Sequence, residues 1–325
     1  MEILVLGGTV FVGRAIVDVA LERGHAVTLF GRGRTGRELF PGVPRLVGDR
    51  EVGDYGALTG RRWDAVVDVS AYVPRHVRQV ADTLAAGGGD GGAGRYLLIS
   101  TGSVYDFAVA DGPLAESAPR LPAERSTEEI TDETYGPLKV ACEDDALAAF
   151  GDRATIVRPG IVAGPHDPTD RFTWWVRAAA DGRAPVPERL DQPVQVVDSG
   201  DLACLVVSLL EADRPGTYNA VGPAEPTTLA GLIDACVSAA GRGAPQRVPA
   251  AGLGDGLPLV LGRDDPWVVF QRDASAARAV GLTATPLERT AADVLAWDEQ
   301  RGRPPLGAGP SPEQVAALPA TGGEG

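Results

Sequence analysis

The chain has 325 residues, of which 44% are hydrophobic and 23% charged, and this composition suits a globular fold with a large core. Its formal net charge of −14 disfavours a general polyanion partner, so we predict that the protein binds no nucleic acid. No stretch approaches 18 uninterrupted apolar residues and no signal-peptide pattern is present, so we expect no membrane association and a cytoplasmic location.

Strand and helix signals alternate along the first half of the chain. Apolar runs at Glu2–Leu6 and Ala26–Phe30 predict two strands, and a helix is predicted between them at Gly13–Arg23, closed by Gly24. Further strands are predicted to end in RLVGD and to lie in WDAVVDVSA, RYLLISTGS and ATIVRPGIV. Continuous apolar runs separated by helices are typical of a parallel sheet that is covered on both faces. We therefore predict an α/β fold, a Rossmann-type doubly wound parallel sheet with a smaller C-terminal substrate lobe.

The second half of the chain has a less regular alternation of strand and helix signals, with closely spaced prolines and glycines. The predicted divisions are a dinucleotide-binding domain at 1–164, its sheet completed by part of 190–222, a mainly substrate-binding lobe at 165–302, and a partly disordered tail at 303–325. Within them, 85–95 predicts a flexible glycine-rich loop, and 201–213 predicts a helix with Asp201 as its N-cap.

Cysteine and histidine positions argue against disulfides and metal binding. The chain has three of each, at Cys142, Cys204, Cys236, His25, His76 and His166. The cysteines are widely spaced and odd in number, which fits a reducing compartment. The histidines show no ligand spacing, so we predict no metal site.

The stretch GGTVFVGRAIV follows the first predicted strand. Gly7 and Gly8 permit a tight turn, Gly13 lets the helix lie close to the strand, and the N–H groups at the helix N-terminus favour a pyrophosphate. Val10, however, stands where the GxxGxxG pattern has its middle glycine. By itself the loop leaves two alternatives open, a nucleotide site or a plain junction between strand and helix.

The second predicted strand continues into VTLFGRGR, which has no carboxylate. An acid at this place commonly accepts hydrogen bonds from the ribose of NAD, whereas a guanidinium suits the 2′-phosphate of NADP. Arg32 and Arg34 therefore favour NADP(H), with NAD(H) as the alternative. The alternative without a binding role is that both arginines are solvated loop residues.

The stretch DETYGPLKVACEDD places Tyr135 and Lys139 four residues apart, on one face of a predicted helix. We expect Pro137 in the first turn of that helix, with Thr134 or Glu133 as the cap. A nearby ammonium lowers the pKa of a phenol toward neutral pH, so Tyr135 could exchange a proton with an alcohol or ketone oxygen.

The stretch LLISTGSVY supplies Thr101 and Ser103 at the carboxyl end of the fifth predicted strand, where open α/β sheets place ligands. A hydroxyl there can orient the substrate oxygen. The order of glycine loop, strand-end hydroxyl, tyrosine and lysine predicts hydride exchange with a nicotinamide.

Together, GGTVFVG, GDR (48–50), STGSVY, YGPLK, RPGIVAGP and VVDSGDLA resemble the short-chain dehydrogenase/reductases, in their extended or atypical branch of NAD-dependent epimerase/dehydratases. The resemblance covers roughly residues 1–300. A subgroup of that branch with GGTxFxG tolerates a side chain at Val10.

The resemblance implies roles for individual residues. The catalytic set is Thr101 on the substrate oxygen, Tyr135 as acid/base and Lys139 on the nicotinamide ribose. The implied cofactor contacts are Gly7, Thr9, Val10, Phe11, Val12, Gly13, Arg32, Asp49 at the adenine with Arg50 beside it, Ser70, Ala71, Lys139, Pro159, Gly160 and Val162. The candidate substrate contacts are Tyr72, Ser103, His166, Arg171, Trp174 and Trp175.

Several of the substrate candidates have a structural alternative. Trp174 and Trp175, with Phe172, could form an apolar wall, but paired tryptophans are also typical of a lobe core. Tyr72 and His76 follow the fourth predicted strand and could be ordinary residues at a helix start.

Two departures from the family pattern bear on the reaction. Dehydratases of this superfamily place acids beside the active-site threonine, where this chain has Gly102 and Ser103, so sugar 4,6-dehydration is disfavoured. Nucleotide-sugar epimerases typically hold NAD through an acid after the second strand, which is absent here.

The first functional hypothesis is an NADP(H)-dependent reductase of a ketone or aldehyde on a small metabolite. The alternative is a redox-neutral NAD(P)-dependent sugar or nucleotide-sugar epimerase. A third, non-enzymatic hypothesis is a nucleotide-responsive or RNA-binding relative, which the acidic charge and the intact triad oppose. The expected partner is a small carbonyl or sugar substrate, and by analogy a homodimer through helices flanking the sheet is an option.

Overall fold

In a computed structural model of the chain, the described residues are 1–86, 92–110, 112–241, 246–250, 253, 256–262 and 264–319. Their strands are β1 (Glu2–Leu6), β2 (Ala26–Gly31), β3 (Arg45–Val47), β4 (Trp63–Asp68), β5 (Ala93–Ile99), β6 (Ala154–Pro159), β7 (Ile161–Ala163), β8 (Arg183–Val186), β9 (Pro193–Val194), β10 (Val196–Asp198), β11 (Gly216–Ala220), β12 (Thr227–Thr228) and β13 (Gln246–Pro249). Their helices are α1 (Phe11–Glu22), α2 (Pro74–Ala85), α3 (Asp132–Phe150), α4 (Arg171–Ala180), α5 (Ser199–Glu211), α6 (Leu229–Ala240), α7 (Ser275–Ala279), α8 (Leu287–Gln300) and α9 (Pro312–Ala316).

Part of the predicted glycine-rich loop at 85–95 falls outside the described residues, at 87–91, and its other residues include the end of α2 and the start of β5. The end of the predicted tail, at 320–325, also falls outside them. None of the described helices is both long enough and apolar enough to cross a membrane.

The chain contacts divide the protein into two compact units. The first unit comprises Met1–Gly160, Gly200–Val221 and Arg272–Thr283. The second comprises Ile161–Ser199, Gly222–Gln271 and Ala284–Gly325.

The first unit is built on a seven-stranded parallel sheet in the order β11-β6-β5-β4-β1-β2-β3. Its interior strand β1 is apolar after Glu2 because both faces are covered: Ile3–Leu6 are at most 1% exposed. The strand order reverses between β1 and β4, and open α/β sheets bind ligands beyond the carboxyl ends of the strands at such a point. The predicted fold class is confirmed.

Helices α2 and α3 pack on one face of this sheet. Their apolar side chains, among them Val80 and Phe150, join Leu4, Val66 and Tyr96 in one buried cluster. The rings of Tyr96 and Phe150 stack with centroids 4.3 Å apart. This contact fixes α3, the helix that carries the tyrosine and the lysine, against β5.

Helix α3 begins earlier than the sequence suggested. Thr131 is its N-cap: the Thr131 hydroxyl accepts from the Thr134 backbone N–H, and the Thr134 hydroxyl accepts from the Thr131 N–H. The prediction of Thr134 or Glu133 as the cap is therefore wrong, and Pro137 lies in the second turn, where it costs one intrahelical hydrogen bond. The reciprocal cap and a first turn with two acids favour this earlier start.

Helix α5 shows a similar shift. It begins at Ser199, so Asp201 lies inside its first turn and the predicted N-cap is wrong. The Asp201 carboxylate accepts instead from the Thr283 hydroxyl at 2.5 Å, a contact between segments that are distant in the sequence.

The second unit is a smaller α/β assembly. Over the part of this unit that the structure describes, the strands form three two-stranded sheets, β10 with β7, β12 with β9, and β13 with β8. Helices α4, α6 and α8 pack around a core that includes Trp174, Trp175 and Leu232. The indole N–H groups of Trp174 and Trp175 donate to the carbonyls of Pro310 and Pro258, which satisfies both polar atoms inside that core.

Candidate active site

The glycine loop between β1 and α1 is packed too tightly for side chains at its glycines, as Gly13 and Gly7 show. A Cβ on Gly13 would lie 2.0 Å from the Gly7 carbonyl oxygen, and a Cβ on Gly7, at a φ of +94°, would lie 2.9 Å from the Ser70 hydroxyl oxygen. The start of α1 is therefore held directly against the end of β1. This close approach presents the first backbone N–H groups of α1 as an anion site.

Val10 has no such constraint. Its φ is −131°, which is open to any residue, and its side chain is 48% exposed. The next residue, Phe11, takes a φ of +39°, a left-handed conformation that costs a non-glycine residue about 1 kcal/mol or more. The loop therefore keeps its shape with valine in the middle position, and the backbone strain lies at Phe11.

The arginines after β2 lie on a segment tied to the glycine loop. The hydroxyls of Thr9 and Thr35 are hydrogen-bonded at 3.1 Å. Arg32 and Arg34 are exposed on this segment, and Arg37 closes it by donating to the Gly33 carbonyl at 2.6 Å. Both arginines thus lie on an exposed segment that is joined to the glycine loop at Thr35.

Asp49 and Arg50 occupy different environments. Asp49 pairs through its backbone with Asp54 and stays partly exposed at the sheet edge. Arg50 donates to both carboxylate oxygens of Asp68, at 2.9 and 2.8 Å, and to the Ser70 hydroxyl at 2.6 Å. The structure thus commits the Arg50 guanidinium to the interior beneath the loop.

Asp68 itself is completely buried at the end of β4. It also accepts from the Tyr96 hydroxyl at 2.9 Å and the Ser70 N–H at 3.1 Å. Burial alone would raise the pKa of this carboxyl, but the Arg50 ion pair and the hydrogen bonds outweigh burial and hold the pKa below its ordinary value.

Lys139 is buried, at 2% exposure, between the carboxyl ends of β4 and β5. Its ammonium donates to the Ala71 carbonyl at 2.7 Å and to the Ile99 carbonyl at 2.8 Å, and it lies 5.8 Å from the ring centroid of Tyr72. An ammonium has three donors, and two of them are engaged by these carbonyls. The charge is therefore fixed at the edge of the sheet where ligands bind.

The turn after β5 carries the two candidate hydroxyls. Thr101 donates to the Ser103 hydroxyl at 3.2 Å and accepts from the Ser103 backbone N–H at 3.1 Å. Helix α3 lies directly on this turn, since a Cβ on Gly136 would be 2.3 Å from the Ser103 carbonyl oxygen. Gly136 follows Tyr135, so the hydroxyl turn packs against the beginning of the helix that carries the half-buried tyrosine and the buried lysine.

The remaining predicted contacts fall into two groups. Pro159 ends β6 in the first unit, and the Gly160 N–H donates to the Ala220 carbonyl at 3.1 Å. The others belong to the second unit: Val162, His166, Arg171, Trp174 and Trp175. Trp174 and Trp175 lie in the core of that unit, the alternative weighed from the sequence, and a substrate role for this group stays a prediction.

Tyr72 and His76 differ sharply in exposure. Tyr72 is 45% exposed beside Lys139, whereas His76 is buried at 2%. Burial, with smaller contributions from Arg50 and Arg75, lowers the pKa of His76 to about 4. His76 is therefore a neutral interior residue at neutral pH.

Sequence reasoning missed a buried acid one turn after Lys139. Glu143 accepts from the Ser100 hydroxyl at 2.6 Å, from Arg158 at 2.9 and 2.7 Å, and from Arg120 at 3.0 Å. Arg158 also donates to the Tyr105 hydroxyl at 2.9 Å. The available signal was Arg158 itself, a charge inside an apolar strand that requires a buried partner.

Comparison with known proteins shows which family the chain belongs to. The family model of the NAD-dependent epimerase/dehydratase family matches residues 3–221, about two thirds of the chain. The chain belongs to this family. The resemblance predicted from the sequence is thereby confirmed, and it places the chain among nicotinamide-dependent proteins of the extended short-chain type.

One curated relative is chloroplast stem-loop binding protein of 41 kDa b from Arabidopsis thaliana, 25% identical over an alignment of 268 residues that covers 76% of this chain. The chain spans 65% of the length of that relative.

Two solved structures share the fold. Bordetella bronchiseptica WbmH in complex with NAD+ has a TM-score of 0.70 at 21% identity, with 93% of this chain and 99% of that chain covered. UDP-glucuronic acid 4-epimerase from Bacillus cereus in complex with NAD has a TM-score of 0.68 at 16% identity, with 92% and 99% covered.

The residues present fit a nicotinamide dinucleotide. The Gly7–Gly13 approach would let a pyrophosphate reach the N-terminus of α1, and the ammonium of Lys139 has a donor to offer a ribose hydroxyl. Both groups lie at the carboxyl edge of the first unit's sheet, where the strand order reverses.

Proposed function

We propose that this protein exchanges a hydride between a nicotinamide dinucleotide and a carbinol or carbonyl carbon of a small sugar substrate, without net oxidation, as an epimerase. The observation that carries the proposal is the buried Lys139 ammonium, fixed by the Ala71 and Ile99 carbonyls on the helix that presents Tyr135. Family membership and the named epimerase among the solved structures support the redox-neutral form.

Each residue of the triad has a defined part in the mechanism. The bound dinucleotide would supply hydride acceptance and return. The Tyr135 phenolate takes the proton from the substrate hydroxyl as the hydride leaves its carbon, and the phenol gives the proton back when the hydride returns to the other face of the substrate ketone. The Lys139 ammonium stabilises the phenolate, and the Thr101 hydroxyl turns its one proton from the Ser103 oxygen to the substrate oxygen.

The turn after β5 also limits the chemistry. Elimination of a hydroxyl requires an acid beside the threonine, and the residues there are Gly102 and Ser103. The proposal therefore keeps hydride exchange and leaves out dehydration.

A second candidate is a net NADPH-dependent reductase of a ketone or aldehyde. Its specific support is the pair of exposed guanidinium groups, Arg32 and Arg34, on a segment joined to the glycine loop by the Thr9–Thr35 hydrogen bond. A guanidinium pairs well with a 2′-phosphate, and no carboxylate stands at the end of β2 to receive the ribose hydroxyls of NAD.

One experiment separates the two. One sample of the purified protein is denatured, and any released dinucleotide is identified by mass. A native sample is incubated with a panel of nucleotide sugars and free sugars, and NMR detects the epimers formed. Another native sample is incubated with carbonyl compounds and NADPH, and the absorbance at 340 nm measures NADPH oxidation. Retained cofactor and epimer formation without net absorbance change support the epimerase, and steady NADPH oxidation supports the reductase.

The Tyr135→Phe variant tests the shared mechanism. It should bind the dinucleotide as the wild type does and lose either activity, because the phenol oxygen is the proton carrier. Full activity in Tyr135→Phe would overturn both forms of the proposal.

The printed name of the Arabidopsis relative refers to stem-loop binding. We propose that this chain does not share that property, because its net charge of −14 opposes the phosphate backbone. A gel-shift titration with a stem-loop RNA at low salt checks this, and a complex that weakens steeply with added salt would contradict it.

A further inference from the structure

Arg272 reaches the first unit from a distant part of the chain. Its segment is fixed there by a buried amide: the Asn219 side chain donates to the carbonyls of Leu114 and Asp273, both at 2.9 Å. The Asp273 N–H donates to the Leu114 carbonyl at 3.0 Å, and Arg272 pairs with Leu114 through its backbone. Asn219 is completely buried, so the position of this segment is set by the interior of the unit.

The Arg272 side chain lies directly on the turn that holds Thr101. A Cβ on Gly102 would lie 2.2 Å from Nε of Arg272 and 2.5 Å from Cζ, so the guanidinium plane rests on the Gly102 backbone. On another side of the same turn, α3 approaches so closely that a Cβ on Gly136 would be 2.3 Å from the Ser103 carbonyl oxygen. The turn thus contacts both the guanidinium and the helix that carries Tyr135.

The guanidinium is a fixed cation in this position. Arg272 is 8% exposed, and its Cζ lies 5.6 Å from the ring centroid of Phe107. Burial lowers its pKa to about 10, which still leaves the group protonated at neutral pH. A positive charge beside the turn favours negative charge on an oxygen held there.

We propose that Arg272 is a positioning residue of the active site: its guanidinium holds the Thr101–Ser103 turn against α3 and thereby sets the direction of the Thr101 hydroxyl. The inference rests on the proposed role of Thr101. It assigns a functional role to a side chain that lies about 170 residues further along the chain.

The first test measures how well the Thr101–Ser103 turn is protected from hydrogen exchange, and it needs no substrate. Amide hydrogen exchange by mass spectrometry is measured over the peptide containing residues 101–105 in Gly102→Ala, Arg272→Ala and the double variant. Each single change should speed exchange there, the first by a clash and the second by loss of the contact. The double variant should exchange more slowly than Gly102→Ala, because the shorter side chain makes room for the added methyl group.

Two comparisons keep this test sharp. Arg278→Ala, on the same segment, is the control and should leave exchange of the turn unchanged, and peptides from β1 report any global loosening. The proposed role of Arg272 in holding the turn is refuted if the effects of Gly102→Ala and Arg272→Ala on exchange simply add. It is also refuted if the turn stays protected in Arg272→Ala.

The second test reads the chemistry, using whichever sugar or carbonyl compound the screen above identifies. Arg272→Gln keeps a planar group and Arg272→Lys keeps a charge, so each should retain part of the activity that Arg272→Ala loses. Arg272→Ala should lower kcat on the order of tenfold with a smaller change in KM, because misplacement of a catalytic group acts on the reacting geometry.

Epistasis with Thr101 separates positioning from general stabilisation. In a Thr101→Ala background, Arg272→Ala should have little further effect on kcat, since the hydroxyl it positions is gone. An equal tenfold loss in both backgrounds would overturn the inference. Absence of turnover in the wild type would count against the proposed function. The exchange experiment would still decide whether Arg272 holds the turn.

Discussion

Arg50 and Asp68 form a bidentate ion pair directly beneath the glycine loop, with N–O distances of 2.9 and 2.8 Å and the carboxylate completely buried. The same guanidinium holds the Ser70 hydroxyl at 2.6 Å, and a Cβ on Gly7 would lie 2.9 Å from that oxygen. The position of the candidate cofactor loop therefore depends on an ion pair between β4 and the segment after β3.

Removal of one partner of this pair should be costly. Asp68→Ala leaves the Arg50 guanidinium buried without its carboxylate, and we expect a loss of about 3–5 kcal/mol in the free energy of unfolding, measured by urea titration. The control is Glu128→Ala, which breaks the exposed pair with Arg75 and should cost about 1 kcal/mol or less. Equal losses in the two variants would contradict the buried-pair account.

Arg32 should set the choice of dinucleotide. If Arg32 binds a 2′-phosphate, Arg32→Ala removes a charge-assisted hydrogen bond of about 1.5–3 kcal/mol, which corresponds to roughly a ten- to hundredfold weaker Kd for NADPH. NADH lacks that phosphate, so its Kd should change little. Calorimetric titration with both dinucleotides checks this, and Arg61→Ala, an exposed arginine before β4, is the control. Tight NADH binding by the wild type, unaffected by Arg32→Ala, would remove Arg32 from the site.

Val10 and Gly13 should respond in opposite ways to substitution. Val10→Gly changes an exposed side chain in an extended conformation, so the protein should stay folded and bind the dinucleotide at least as well. Gly13→Ala places a methyl group 2.0 Å from the Gly7 carbonyl oxygen, which forces α1 away from β1. Dinucleotide titration and thermal unfolding of both variants test this, and normal binding by Gly13→Ala would show that the close approach is unimportant.

His76 should contribute to the loss of stability in acid. Its ring nitrogens have no hydrogen-bond partner in the described structure, and its pKa in the folded protein is about 4, below the ordinary value of 6.5. The unfolded chain therefore binds the proton more tightly, so stability is complete above pH 6.5 and falls as the pH drops from 6.5 toward 4. The contribution is at most about 3 kcal/mol, at about 1.4 kcal/mol for each pH unit.

The measurement is the free energy of unfolding of wild type and His76→Phe at several pH values from 7 down to 4. The phenylalanine keeps a ring in the interior and removes the titrating group, so the variant should lose less stability over this range. Parallel curves for the two proteins would show that His76 does not titrate in this way.

Much of the fold follows from local signals in the sequence. The apolar run Glu2–Leu6, the glycines after it and the periodicity of α1 all act within a few residues of each other, so strand, turn and helix can be predicted together. The same holds for Tyr135 and Lys139, because a spacing of four places both on one helix face. The start of α3 was harder, since a cap at Thr131 competes with the caps nearer to Pro137.

The sequence by itself thus determined the class of fold, the glycine loop and the candidate catalytic residues, because each depends on short-range spacing. Only the tertiary structure decided that Arg50 pairs with Asp68 and that Arg272 lies on Gly102. A charged residue in the sequence shows that a partner is needed when it is buried, but the partner is chosen by which strands and segments the topology brings together. For the same reason the turn that holds Thr101 contacts a residue that no local pattern connects to it.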